Sequence, residues 1–155
     1  MYLTILVVHS YLRWVLLILA VLAVLRAWSG WRTSRAWTPD DDRLGKLLTS
    51  AFDLQFLLGL LLYGWLSPLT RAAFQDFGAA MRDSVLRFFA VEHIFGMVVA
   101  LALVHVGRVR SRRSQPSVLR HRAAFIFFGL ALVAVLVTIP WPFVPAGRPL
   151  FWGFR

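Results

Sequence analysis

The chain has 155 residues, of which 59% are hydrophobic and only 15% are charged, an apolar excess that a soluble domain of this length does not need for its core. A net charge of +10 would suggest nucleic-acid binding in a soluble protein, but membrane topology and anionic lipid explain basic residues placed between apolar runs, so no nucleic-acid partner is predicted. Because the chain has no cysteine, disulfides, iron–sulfur clusters and thiolate ligation of a metal are excluded.

Four apolar runs have the length of membrane-spanning helices. A hydrocarbon core about 30 Å thick needs about 20 apolar residues in a helix, and every backbone amide in lipid must be satisfied within its own segment. The four runs cover about residues 3–27, 47–66, 85–107 and 123–140. The sequence therefore predicts an all-α membrane protein, with residues 1–155 forming one domain built as an antiparallel four-helix bundle.

The two ends of the chain fit this interpretation. The first run lacks the basic start and small-residue cleavage site of a signal peptide, so we expect it to be retained as a helix. After the fourth run, Pro140, Pro142 and Pro145 cannot continue a helix. The tail at 141–155 carries Trp and Phe side chains that suit the membrane interface, and we expect it to lie there.

Basic residues predict the orientation, because loops rich in Lys and Arg stay in the cytoplasm. Those between the first and second runs are Arg32, Arg35, Arg43 and Lys46, and those between the third and fourth are Arg108, Arg110, Arg112, Arg113, Arg120 and Arg122. The remaining loop has two arginines offset by Asp76 and Asp83. The sequence thus predicts a multi-pass protein of a bacterial inner membrane with both termini on the periplasmic side.

Two histidines lie inside the apolar runs at matching depth. His9 and His93 are on helices that run in opposite directions, and at 1.5 Å per residue both lie roughly 10 to 14 Å below the outer surface. Two imidazoles facing each other at one level are what haem b needs for two axial ligands. Gly96 and Ala100, one and two turns below His93, would leave room for a flat ring. The alternative is that each histidine only hydrogen-bonds a neighbouring helix.

Charged residues near the histidines have two interpretations. Arg13 lies one turn after His9, so we expect it to point into the bundle and to pair with Glu92 or Asp53. In the structural interpretation this ion pair locks the helices together. In the functional one, either the charge tunes the potential of a haem, or Glu92 relays protons to a quinone near the outer surface. Arg87, near the outer interface, would bind haem propionates or extend to the interface as a snorkelling side chain.

His105 and His121 lie near the predicted cytoplasmic end, where a second haem would be placed. His105 is 12 residues after His93, which at 100° per residue puts it about 120° round the helix. His121 stands between two arginines at the start of the fourth run, where it could simply be solvated. The sequence therefore favours one bound haem and not two.

Several motifs resemble those of a known group of proteins. They are His9-Ser10-Tyr11-Leu12-Arg13-Trp14, Asp83-Ser84-Val85-Leu86-Arg87-Phe88 followed by Val91-Glu92-His93, His121-Arg122-Ala123-Ala124, Ile139-Pro140-Trp141-Pro142 and Gly147-Arg148-Pro149. Over nearly its whole length the chain is similar to a family of small four-helix bacterial membrane proteins commonly labelled cytochrome b. The resemblance implies His9 and His93 as the iron ligands, with His121 as a further candidate, whereas His105 falls in no shared motif.

The sequence thus leads to two hypotheses of different class. The first is a cytochrome b-type electron carrier that holds haem b between its first and third helices through His9 and His93 and exchanges electrons with a quinol or quinone. No catalytic nucleophile or hydrolytic metal motif is present, so an electron-transfer protein is expected and not a stand-alone enzyme. The second is a haem-free structural or accessory subunit of a larger membrane complex, with a homodimer as a further arrangement. A quinone-binding subunit without haem is intermediate between them.

Overall fold

The computed structural model describes residues 1–151, and this part of the chain contains helices and no strand. The tail after the last helix is irregular as far as residue 151; the rest of the predicted interfacial tail, 152–155, lies outside the described residues. Two five-residue π-helical segments extend the helices at one end of the bundle. In chain order the elements are α1 (Tyr2–Arg32), α2 (Pro39–Leu61), the first π segment (Leu62–Leu66), α3 (Pro68–Gln75), α4 (Phe77–Ala80), α5 (Ser84–Arg87), the second π segment (Phe88–Glu92), α6 (His93–Arg113) and α7 (Ser117–Thr138).

Within residues 1–151, four helical stretches are long and apolar enough to cross a membrane: Tyr2–Arg32, Pro39–Leu66, Ser84–Arg113 and Ser117–Thr138. A helix is therefore confirmed at each of the four predicted runs, but these helices extend beyond the predicted bounds into polar sequence. The second stretch begins at Pro39 because Thr38 and Asp41 form a capping box there and proline suits the first helical turn. The length of an apolar run reflects the thickness of the lipid core, whereas capping residues determine the residue at which a helix starts.

Small and large side chains share the core between the four long helices. The small ones are Ala20, Ala23, Ala27, Ala100, Ala124 and Ala131, and the larger ones include Leu16, Leu48, Val104 and Phe128. Such small residues let helix backbones approach closely, which stabilises helix pairs in lipid. Large apolar side chains such as Ile18, Leu57, Phe95 and Val137 instead cover the outside of the bundle, as expected for a surface in contact with lipid.

The packing of α6 against α7 corrects one expectation about space beside His93. A Cβ at Gly96 would collide with the side chain of Thr138, so this glycine admits the neighbouring helix and not a flat ring. Ala100 is fully buried in the core. The expectation that these two positions leave room for a cofactor was therefore wrong, because the space is already filled by α7.

The end of the bundle that carries the loops 33–38 and 114–116, here called the basic end, is stabilised by ion pairs. The Asp41 carboxylate accepts hydrogen bonds from Arg26 at 2.6 Å, from Arg35 at 2.8 and 3.0 Å and from Thr38. The bond to Asp41 raises the pKa of the Arg35 guanidinium above its ordinary value. Arg108 pairs with Asp42 at 2.8 Å and so links α6 to α2.

At the opposite end, α3, α4 and α5 form a short helical cap that the sequence did not predict. Ala73, Ala80 and Ala90 are buried in a small apolar cluster with Met81 and Leu86. The hydroxyl of Thr70 donates to the carbonyl of Tyr63 at 2.8 Å, and the Tyr63 hydroxyl donates to the carbonyl of Ala90 at 2.9 Å. These bonds join the loop between the second and third spans to both π segments.

Candidate functional site

A cavity with about 810 Å³ of space between protein atoms, including its open mouth, lies at the end opposite the basic end. Side chains of α1, α2, α6, both π segments, α3 and the tail surround it. We call it the histidine cavity, and it is lined by Tyr2, Leu6, His9, Ser10, Arg13, Gln55, Gly59, Leu62, Tyr63, Ser67, Thr70, Phe89, His93, Met97, Ile139, Pro140 and Arg148. His9 and His93, which were predicted to share a depth in the membrane, thus line the same cavity.

The two π-helical segments shape this cavity. The first contributes Leu62 and Tyr63, the second contributes Phe89, and His93 follows directly after the second. A π segment widens one turn of a helix and so changes which side chains face inward, and such turns occur frequently at functional sites. Hydropathy carries no signal for them, so the sequence could not predict this feature.

His93 is oriented by α7. Its Nδ1 lies 2.8 Å from the carbonyl oxygen of Thr138, and because a carbonyl only accepts, Nδ1 carries a proton and donates it. In the neutral ring Nε2 then has a free lone pair. A backbone carbonyl that fixes the tautomer in this way is the usual arrangement behind a metal-binding histidine. The rings of Phe88 and Phe89 lie 5.8 and 6.3 Å from the imidazole and limit its movement.

His9 is held differently, by Gln55 of α2. The Gln55 amide nitrogen lies 3.0 Å from the His9 carbonyl oxygen and 3.3 Å from His9 Nε2, and we assign it as the donor to both. In the neutral ring Nδ1 then carries the proton, and this buried nitrogen has no hydrogen-bond partner among the described residues. Gly59 makes room for the ring, since a Cβ there would lie 3.3 Å from His9 Cε1.

The predicted pairing of Arg13 with Glu92 or Asp53 was wrong. Glu92 pairs with Arg87 at 2.8 Å, and Asp53 pairs with His105 at 2.8 Å, and all four side chains are about half exposed. Arg13 is 8% exposed and donates from one Nη to the backbone carbonyl of Leu150 at 3.1 Å. Contacts with the backbone of a tail leave no pattern in the sequence, so this partner could not be predicted.

Arg87 and Glu92 do not line the histidine cavity. Arg87 donates hydrogen bonds to the Glu92 carboxylate and to the carbonyl of Met81. Arg148, one of the two arginines of the tail, lines the cavity instead, and its guanidinium carbon lies 5.1 Å from the Phe89 ring centroid. Sequence reasoning assigned Arg148 only to an interfacial tail, and its position in the Gly147-Arg148-Pro149 motif was the one available signal.

His121 lies far along the bundle from the histidine cavity, in a smaller cavity of about 230 Å³ at the basic end. It is completely buried, so the expectation that it might simply be solvated was wrong. Its ring lies 4.8 Å from that of Trp37. His105 lines neither cavity, so the two histidines considered for a second haem do not face a common space.

The residues of the histidine cavity fit a haem b in part. His93 offers an oriented lone pair, the walls formed by Leu6, Phe89 and Ile139 are apolar, and cations are present. His9 would have to give up its bond to Gln55 before its Nε2 could act as a second ligand. Within residues 1–151 no group of three or more His, Asp or Glu side chains is placed to hold a metal ion, but haem iron takes at most two ligands from the protein.

Comparisons of the chain with protein-family models, with curated proteins and with solved structures found no match.

Proposed function

We propose that this protein is a cytochrome b-type electron carrier that binds one haem b in the histidine cavity, where His93 and His9 would hold the iron, and that exchanges electrons with a quinol or quinone. The observation that carries the proposal is the hydrogen bond between His93 Nδ1 and the Thr138 carbonyl. That bond leaves Nε2 of a cavity-lining histidine available as a ligand. His9, from the opposite helix, lines the same space.

The chain's own residues would orient and shield the group. Bound haem supplies reversible one-electron chemistry, and its potential depends on ligand basicity and on burial. Thr138 fixes the His93 tautomer, Gln55 positions His9, and the apolar walls keep water from the two imidazoles. No described side chain of the cavity is a carboxylate, so the proton chemistry of this site rests on the histidines, Tyr63 and hydroxyl groups.

A quinone site without haem is the second candidate, and one observation favours it. With its bond to Gln55, His9 presents a proton on the buried Nδ1, whereas His93 presents a lone pair on Nε2. One donor and one acceptor on opposite helices match the carbonyl and hydroxyl groups of a quinone and a quinol.

The haem-free accessory subunit is favoured by a different observation. Asp53 and His105, each about half exposed, form a pair on the side of the bundle, within two membrane-spanning helices. Ionisable groups in a membrane usually face protein or water. A partner helix that covers this pair would account for them.

A reduced-minus-oxidised visible spectrum of the detergent-purified protein, with pyridine haemochrome quantification, tests the proposal. We expect about one haem b per chain in the wild type, loss of the signal in His93→Ala, and loss or a change of spin state in His9→Ala. His105→Ala is the matched control on the same helix as His93, and it should keep the spectrum. A folded wild type without colour, produced in a host that makes haem, would contradict the cytochrome and leave the quinone and the accessory subunit.

A further inference from the structure

Among residues 1–151, two arginines and no carboxylate line the histidine cavity. Arg13 comes from α1 and Arg148 from the tail, and the other polar residues described around the cavity are neutral or histidine. The guanidinium group is charged at any physiological pH. The cavity therefore has a positive wall without a matching negative one.

Arg13 has no anionic partner in the part of the chain that the structure describes, whereas a buried arginine is normally paired with one. It is 8% exposed, its Nε is buried without a hydrogen-bond partner, and among residues 1–151 it forms no ion pair. One Nη donates to a neutral carbonyl, that of Leu150. A buried charge that meets only neutral groups is costly, and buried charges are as a rule paired.

The chain's own side-chain carboxylates are all engaged elsewhere. The chain has seven acidic residues. Asp40, Asp41, Asp42 and Glu92 pair with other arginines, and Asp53 pairs with His105. Asp76 and Asp83 cap short helices through backbone amides. No acidic side chain remains for Arg13 or for Arg148, whose guanidinium rests on the Phe89 ring.

We infer that the histidine cavity recognises the carboxylate end of an amphiphilic ligand through Arg13 and Arg148. Guanidinium groups bind carboxylates with two parallel hydrogen bonds, and the Nε of Arg13 supplies a free donor for such a bond. The apolar body of the ligand would lie against Leu6, Phe89, Met97 and Ile139. Where the ligand is haem, this inference rests on the proposed function and assigns the propionates to Arg13 and Arg148 and not to Arg87. A fatty acid carries the same carboxylate chemistry.

Iron-free protoporphyrin IX and its dimethyl ester separate carboxylate recognition from iron ligation, because neither needs a histidine ligand. Their binding to the purified, haem-free full chain in detergent can be followed by porphyrin fluorescence. We expect the diacid to bind at least about tenfold more tightly than the ester. Arg148→Gln should weaken the diacid by a similar factor and leave the ester unchanged. Arg87→Gln is the matched control, and it should change neither.

Arg13→Gln should weaken diacid binding as Arg148→Gln does. Because Arg13 is packed inside a helix bundle, its substitution is more disruptive, and Arg148→Gln is the safer variant. Circular dichroism and gel filtration check the fold of both. Equal binding of diacid and ester, no binding of either, or an Arg148→Gln variant with unchanged diacid binding would overturn the inference.

Displacement of the diacid by oleate in an Arg148-dependent way supports a lipid carboxylate as the ligand, and failure of oleate to displace it supports a porphyrin. A colourless protein that still prefers the diacid disproves the cytochrome alone, whereas a haem protein that binds both forms equally disproves this inference alone.

Discussion

Position 30 of α1 has no room for a side chain, because the ring of His121 fills the space beside it. A Cβ at Gly30 would collide with the His121 imidazole, and His121 is completely buried, so the ring cannot move aside freely. We expect Gly30→Ala to lower the free energy of unfolding by about 1 to 3 kcal/mol, the usual cost of overpacking. Thermal unfolding in detergent, followed by circular dichroism, measures this change.

Gly129 of α7 provides the matched control, since a Cβ there would meet nothing within 4 Å. Gly129→Ala should be neutral or stabilising by up to about 1 kcal/mol through helix propensity. In a His121→Ala background the cost of Gly30→Ala should largely disappear, because the two residues are directly coupled. A Gly30→Ala variant as stable as Gly129→Ala would show that α1 and α7 are not packed as described.

Individual residues of the site could be predicted where the residue type and its depth in the membrane were enough to identify them. His9 and His93 were expected at one level from helix length alone, and both line the same cavity. Partners formed by backbone carbonyls were not predictable, as Arg13 with Leu150 and His93 with Thr138 demonstrate. Such contacts depend on how a tail or a neighbouring helix is placed, which no residue type specifies.

At the scale of helices, the first turn of α2 contains three aspartates, of which Asp40 and Asp41 have different surroundings. The Asp41 side chain is 3% exposed and bonded to Arg26, Arg35 and Thr38, whereas Asp40 and its partner Arg43 are largely exposed. We expect Asp41→Asn to cost about 1 to 3 kcal/mol, because it removes the charge from the hydrogen bonds that Arg26 and Arg35 donate to this buried side chain. Asp40→Asn should cost less than about 1 kcal/mol.

These two substitutions remove the same charge from the same helical turn, so the helix dipole affects both similarly. Their difference in chemical or thermal unfolding then reports the ion-pair cluster together with the capping box that Asp41 forms with Thr38. Equal losses would mean that Asp41 acts only through net charge. The expected order also requires that Arg35→Gln lose less than Asp41→Asn, because Arg26 still pairs with the carboxylate at 2.6 Å.

The number and order of the long helices followed from hydropathy, whereas their ends and the helical cap did not. Lipid thickness sets the length of an apolar run, so four runs predicted four spans. The start of α2 depends on the Thr38 capping box, and the π segments depend on tertiary bonds such as that of the Tyr63 hydroxyl. Neither contributes to the hydropathy of a segment.

At the scale of the whole molecule, the distribution of basic residues predicts which side of the membrane the histidine cavity faces. The cavity lies opposite the basic end, so the rule that basic loops stay in the cytoplasm predicts that this end of the bundle lies on the periplasmic side. Because the chain has no cysteine, single cysteines at the exposed positions Gln75 and Gln115 can report this orientation. In intact cells an impermeant maleimide should label Gln75→Cys and not Gln115→Cys.

Permeabilised cells are the control, and both variants should be labelled there. Labelling of Gln115→Cys in intact cells, with Gln75→Cys protected, would contradict the orientation and direct the cavity to the cytoplasm. For the proposed electron carrier the consequence is direct, because an electron donor or acceptor would have to reach the end of the bundle where His9 and His93 lie. With the predicted orientation, a partner on the periplasmic side or a quinol in the outer leaflet would have the shortest path to the two imidazoles.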